Sequence, residues 1–141
     1  MSNNLRRSIA LGASICLLNA CSEQSAPPEP QLNFEESLQQ QLILAQAGDV
    51  IEIPAGTHQL TRGLSLSVAG VTIRGEGMDR SVLSFKNQAQ GAEGLLVNAD
   101  NFTIENLAIE DTVGDAIKIN ESDNVVIRNV RTEWTGGPLT T

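Results

Sequence analysis

The sequence predicts an all-β chain wound into a parallel β-helix solenoid, and three observations carry that expectation. The first is an internal repeat. Asp100-Asn101-Phe102-Thr103-Ile104-Glu105-Asn106-Leu107 matches Asp123-Asn124-Val125-Val126-Ile127-Arg128-Asn129-Val130 at a constant offset of 23, with the Asp, both Asn and the Ile identical. The second is alternation. Leu64/Leu66, Val71/Ile73, Leu95/Val97, Phe102/Ile104, Leu107/Ile109, Ile117/Ile119 and Val125/Ile127 are apolar pairs of period two, separated by Gly or polar residues. The third is composition. The 141 residues are 40 % hydrophobic but only 3 % aromatic, with no Tyr, so the core must be built from Ile, Val and Leu.

The physical reason joins the three. Strands this short cannot bury an apolar face alone. A coiled chain lays each strand parallel on its counterpart one turn later, ~4.8 Å away. Ile104 is then expected on Ile127, Phe102 on Val125 and Leu107 on Val130. Asn101 is expected on Asn124 and Asn106 on Asn129, because amides tolerate left-handed turns and can bond to copies of themselves. An earlier copy, Ala69-Gly70-Val71-Thr72-Ile73-Arg74-Gly75, carries Gly where the later ones have Asn. A leucine-rich repeat shares a period of this size, but its Leu-x-x-Leu-x-Leu frame and helical return are missing. A β-sandwich has no need of a constant offset.

Along the chain, residues 1–20 read as a lipoprotein signal peptide. Arg6 and Arg7 form a basic start, and residues 9–18 (IALGASICLL) an apolar run too short to span a bilayer, which takes ~20 residues. Leu18-Asn19-Ala20-Cys21 resembles the bacterial lipobox, which implies cleavage before Cys21 and acylation of that cysteine. The alternative is an ordinary cleaved signal with an incidental cysteine. Cys16 falls in the removed segment, so no thiol remains for a disulfide. Ser22 follows the cysteine where an Asp would favour inner-membrane retention, so the outer membrane is the expected destination. Residues 21–32, with Pro27, Pro28 and Pro30, read as an extended tether. Residues 33–47 read as a capping helix: Asn33 and Glu36 form a capping pair, Phe34, Leu38, Leu42 and Ala45 make one apolar stripe, and Gly48 is placed to end it. Residues 48–141 then allow about four rungs of ~4.8 Å. The last has no terminal cap, so the chain is expected to be the N-terminal part of a longer solenoid.

Gly48-Asp49-Val50-Ile51-Glu52-Ile53-Pro54-Ala55-Gly56-Thr57-His58 resembles the opening strand of right-handed parallel β-helix proteins, the pectin-lyase-like fold, and residues 94–131 resemble their rungs. Gly114-Asp115-Ala116-Ile117-Lys118-Ile119 with Arg131-Thr132-Glu133-Trp134-Thr135-Gly136-Gly137 is similar to a group of exported bacterial β-helix proteins without an established activity. The resemblance implies a right-handed coil. The wider fold hosts polysaccharide lyases, hydrolases and uronate epimerases as well as binding and structural proteins, so it does not name a reaction.

The formal charge of -8 argues against nucleic acid as a partner. Candidate ligand contacts are few. Glu110, Asp111 and Asp115 cluster near a turn; they could offer oxygens to calcium, and the more economical expectation is a solvated acidic turn without a metal. Arg74, Arg128 and Arg131 could pair with uronate carboxylates, or serve as exposed salt-bridging residues. Trp134, the only tryptophan, is expected to pack on the rung below, with sugar stacking as the alternative. His58, the only histidine, cannot form a triad or metal cluster. Two functions follow as expectations: a non-catalytic envelope scaffold or binding module, or a polysaccharide-processing lyase or epimerase whose catalytic rungs lie outside this chain. The partners expected are a membrane, through the lipid, and an acidic polysaccharide or an envelope protein.

Overall fold

The computed structural model describes residues 32–136. Residues 1–20, read as a signal peptide, Cys21 and nearly all of the segment read as a tether lie outside them. One helix, α1 (Phe34–Leu44), precedes nine strands. The first coil holds β1 (Val50–Ile53), β2 (Gly56–Gln59) and β3 (Arg62–Leu66), and the second β4 (Thr72–Gly75), β5 (Ser81–Ser84) and β6 (Gln90–Val97). β7 (Thr103–Glu110) and β8 (Ile117–Ile119) make the third, and β9 (Val126–Glu133) opens the fourth. Every strand pair is parallel. β1, β4, β7 and β9 stack in sequence, β2 and β5 stack on the second half of β7, and β3, β6 and β8 form a second sheet. The fold is a parallel β-solenoid of about four turns, as the repeat predicts.

The predicted register is the observed one. Ile104 pairs with Ile127 and Leu107 with Val130, at an offset of 23 through the whole of β7 and β9. The core is one cluster built mainly of Ile, Leu and Val from α1 and the first three coils together with Phe85 and Phe102, with Val125 and Val130 of the fourth packed partly buried against it. A residue such as Ile104 or Leu107, at 0 % exposure, contributes roughly 1.5–3 kcal/mol by leaving water.

The period is not uniform. Val50 pairs with Thr72 at an offset of 22, but Thr72 pairs with Thr103 at 31. The second coil is larger because chain is added in steps, the offset growing from 22 at β1/β4 to 25 at β2/β5, 28 at Arg62/Gln90 and 31 at Leu64/Leu95, the middle step being the bend between β5 and β6. Phe85 and Gln88 are buried there and hold it to the coil. The Gln88 amide donates to the Glu93 carbonyl at 2.9 Å and its oxygen accepts from the Val113 N–H at 3.0 Å. A search at one spacing passes over Phe85 for that reason.

The corners explain the amides. Asn101, Asn106, Asn124 and Asn129 all have φ between 51° and 58°. Asn124 Nδ2 donates to Asn101 Oδ1 at 3.1 Å, and Asn129 Nδ2 to Asn106 Oδ1 at 3.0 Å. One and two coils below Asn101, Gly70 (φ 76°) and Gly48 (φ 95°) stand in the same column, with the Gly48 N–H on the Gly70 carbonyl. Gly48 thus turns the first corner and does not end the helix. α1 stops four residues earlier, with Ala45 already extended at ψ 152°. Gly75 stands below Asn106 for another reason: a Cβ there would lie 2.3 Å from the Asn106 carbonyl oxygen.

α1 covers the first coil. Asn33 caps it by accepting from the Glu36 N–H at 2.9 Å. Leu38 and Leu42 enter the core from the predicted stripe. Phe34 stacks on the His58 ring, centroids 3.8 Å apart. The polar side chains finish the task. Glu35 accepts from the Thr61 and Arg62 N–H groups at 3.2 and 2.9 Å, and the Gln39 amide bonds both backbone groups of Ser65. The helix thereby offers the outer edge of β3 the donors and acceptors of a neighbouring strand. No helix among the described residues is long and apolar enough to cross a membrane.

Candidate functional site

The strand register builds a feature that spans all four coils on one outer face. Glu52 pairs with Arg74, Arg74 with Glu105, and Glu105 with Arg128. Each follows an inward Ile (Ile51, Ile73, Ile104, Ile127), so the pleat turns it outward. Acid and base alternate up the stack. Arg74 Nε donates to Glu105 Oε1 at 2.6 Å, and its Nη1 reaches Glu52 Oε1 at 3.5 Å. Arg128 closes on Glu105 Oε2 from above through Nε, at 3.1 Å, and Nη2. The Glu105 side chain is almost covered, at 4 % exposure. The hydrogen bond from Arg128 first, and that from Arg74 second, hold its carboxyl below the usual carboxylate range. Glu105 in turn raises the Arg74 guanidinium. The alternation was legible in the repeat, since the residue after each Ile changes sign from copy to copy.

A second cluster surrounds Arg131. Its Nη1 meets Glu110 Oε1 at 2.8 Å and also Glu133, its Nη2 donates to the Met78 carbonyl at 3.2 Å, and Nε lies 3.6 Å from Asp79. Of the two expectations for the arginines, this is the salt-bridging one. All three are held by carboxylates of neighbouring coils.

The acidic turn differs from the expectation. Asp111 is not solvated; it is buried, in a left-handed conformation at φ 58°, and its carboxylate accepts from the Thr135 N–H and hydroxyl, both at 2.6 Å. Glu110 is turned to Arg131, and Asp115 is exposed in the next turn. The three carboxylates do not converge. Among the described residues no three His, Cys, Asp or Glu side chains are grouped to hold a metal ion. The possibility of calcium there gains no geometric support.

Trp134 also departs from expectation. It is 58 % exposed and does not plug the coil below. It edges a shallow recess of about 170 Å³ shared with Thr112, Gly114, Ala116, Thr132 and Glu133. The reason is its phase: β9 ends at Glu133, and Trp134 follows where the chain leaves the sheet. His58 is taken up by packing, with Nε2 2.9 Å from the Pro54 carbonyl oxygen.

The fold and these faces define a parallel β-solenoid with one outward column, Glu52, Arg74, Glu105 and Arg128, paired between coils. No family model matches the chain, and comparison with curated proteins and with solved structures gave no significant match.

Proposed function

We propose that this chain is a lipid-anchored β-helix protein of the bacterial envelope that acts as a scaffold or binding module. One observation carries the non-catalytic half of the reading. Three of the charged groups singled out as candidates are taken up by structural contacts: Glu105 by arginines of the coils on either side, Arg131 by Glu110 of the coil below and by Glu133 of its own strand, Asp111 by Thr135. A general base needs a free lone pair aimed at a substrate proton. The anchored half rests on Leu18-Asn19-Ala20-Cys21 and the polar tether behind it. One acylated cysteine bearing several chains anchors firmly, at ~0.8 kcal/mol per buried methylene.

The test is fractionation with a labelled fatty acid. The wild-type chain is expected to take up label and sediment with outer membranes. Cys21→Ala is expected to take up none and to leave that fraction. An unchanged distribution of Cys21→Ala removes the anchor.

A second reading draws on the exposed Trp134 beside Glu133 and Thr132. An indole face next to polar groups can stack on a sugar ring, which supports contact with an acidic polysaccharide, in a lyase or epimerase as readily as in a binder. Unsaturated uronate absorbance on adding such a polymer would favour the enzyme. Indole quenching without new absorbance would favour the binder.

A further inference from the structure

α1 is apolar on two sides. Leu38 and Leu42 are buried in the core, while Ile43 and Leu44, which follow directly, are 64 % and 67 % exposed. A solvent-facing helix carries one apolar stripe, and a helix that is apolar on more than one side is covered on more than one side. The outer aliphatics are also gathered. Leu44 shares a recess of about 350 Å³ with Val50, itself exposed at the start of β1, and Ile43 and Leu44 line a second recess together. Single aliphatics scattered over a surface are ordinary, whereas adjoining ones mark a contact.

Charge and position together point to what lies against this side. Residues 37–48 hold no charged side chain, although the chain as a whole carries -8. Glu36 and Asp49 bound the stretch, and the Asp49 carboxylate is taken up by the Gln46 N–H at 2.8 Å. Between them the polar groups beside Leu44 are the amides of Gln40 and Gln41. Such a surface meets anionic lipid without repulsion, and no ion has to be stripped of water on contact. Position follows from the anchored reading. Residues 22–31 (SEQSAPPEPQ) carry no branched aliphatic side chain, and from Cys21 to Leu32 the chain reaches at most about 40 Å. An acylated Cys21 therefore keeps the lipid surface beside α1 at high effective concentration.

We propose that the outer side of α1 rests on the lipid surface, with Ile43, Leu44 and Val50 entering the headgroup region and the Gln40 and Gln41 amides bonding to headgroup oxygens. This rests on the anchored reading and adds to it a second membrane contact, made by the folded part itself. The contact is shallow, because no helix among the described residues is long and apolar enough to cross. It fixes an orientation. α1 covers the first coil, so each later coil stands further from the bilayer and the column from Glu52 to Arg128 runs away from it.

The experiment uses the acylated chain in vesicles of phosphatidylethanolamine and phosphatidylglycerol. With Cys16 removed and Cys21 acylated, Gln40→Cys offers a single thiol for a fluorophore, and Asp115→Cys, exposed on the third coil, is the comparison. Brominated lipids are expected to quench the label at Gln40→Cys at least about fivefold more than that at Asp115→Cys, since an interfacial contact reaches only ~5–10 Å into the bilayer. Ile43→Gln with Leu44→Gln, both at exposed positions, is expected to bring quenching at Gln40→Cys down to the comparison level while fatty-acid labelling at Cys21 is unchanged. Circular dichroism confirms that each variant keeps its helix and strands. Equal quenching at the two sites, or full quenching in the double variant, overturns the proposal. So does a disulfide dimer that unlabelled Gln40→Cys forms in the vesicles on mild oxidation and Asp115→Cys does not, because a second copy would then cover α1. Failure here with Cys21-dependent fractionation intact sinks the contact and leaves the anchored module standing, whereas loss of that dependence removes both.

Discussion

Glu105 accepts from Arg74 Nε at 2.6 Å although 31 positions separate the two in the chain. With Arg128 on the opposite side, a single carboxylate joins three successive coils. Its pH response follows. The native carboxyl titrates below its unfolded value, so the stability it supplies is complete above the ordinary carboxylate range, near ~4.3. It is lost as pH falls through the depressed native value, because the unfolded chain takes up the proton first. Urea titrations from neutral pH downward should show this loss in wild type and a flatter profile in Glu105→Gln. Parallel profiles would mean that the ladder is electrostatically idle.

Ile104 and Ile127 are neighbours across one coil step. Cα atoms in adjacent strands fall within the ~4.4–6.8 Å that a disulfide spans. Ile104→Cys with Ile127→Cys is expected to form an intramolecular bridge on mild oxidation, read by peptide mapping. Ile104→Cys with Thr132→Cys should not, since Thr132 pairs with Ile109. Bridging of the second pair alone would refute the register.

The corner at Asn101 demands a residue that accepts positive φ. Asn101→Gly keeps the conformation and loses only the amide rung, so it should cost under about 1 kcal/mol. Asn101→Val meets the left-handed penalty and should cost about 1–2 kcal/mol more. Equal losses in thermal denaturation would show that the amide contact, and not the turn, is what matters there.

α1 holds the first coil through Leu42, which is fully buried, while its neighbour Ile43 faces solvent. Leu42→Ala is expected to cost about 2–5 kcal/mol. Ile43→Ala should stay within about 0.5 kcal/mol. Comparable effects in urea melts would displace the helix from its role as a lid on the core.

Much of this architecture was readable from the residues. The match between 100–107 and 123–130 specified the register of β7 on β9, and the Asn positions specified the corners. The helix stripe was legible because Leu38 and Leu42 repeat at helical spacing. Less was legible where one spacing does not hold. β2 and β5 are four-residue strands whose counterparts lie 25 apart, and Phe85 belongs to no 23-residue copy. Buried carboxylates were hidden for a different reason. Glu35 and Asp111 look like surface acids in the sequence, and only the fold brings Thr61, Arg62 and Thr135 to them. Trp134 was read as filling and turned out to be exposed, because phase beyond the end of β9 is not set by the repeat.

The second coil takes 31 residues to complete a turn that the first completes in 22, yet the strands above and below it remain in step. Circumference and pitch are therefore independent variables in this protein. Foreign sequence spliced between the exposed Lys86 and Asn87, short of the buried Gln88 that ties the bend to Val113, would swell one ring outward while leaving those ties in place, which makes that point a natural place to graft an epitope or a reporter.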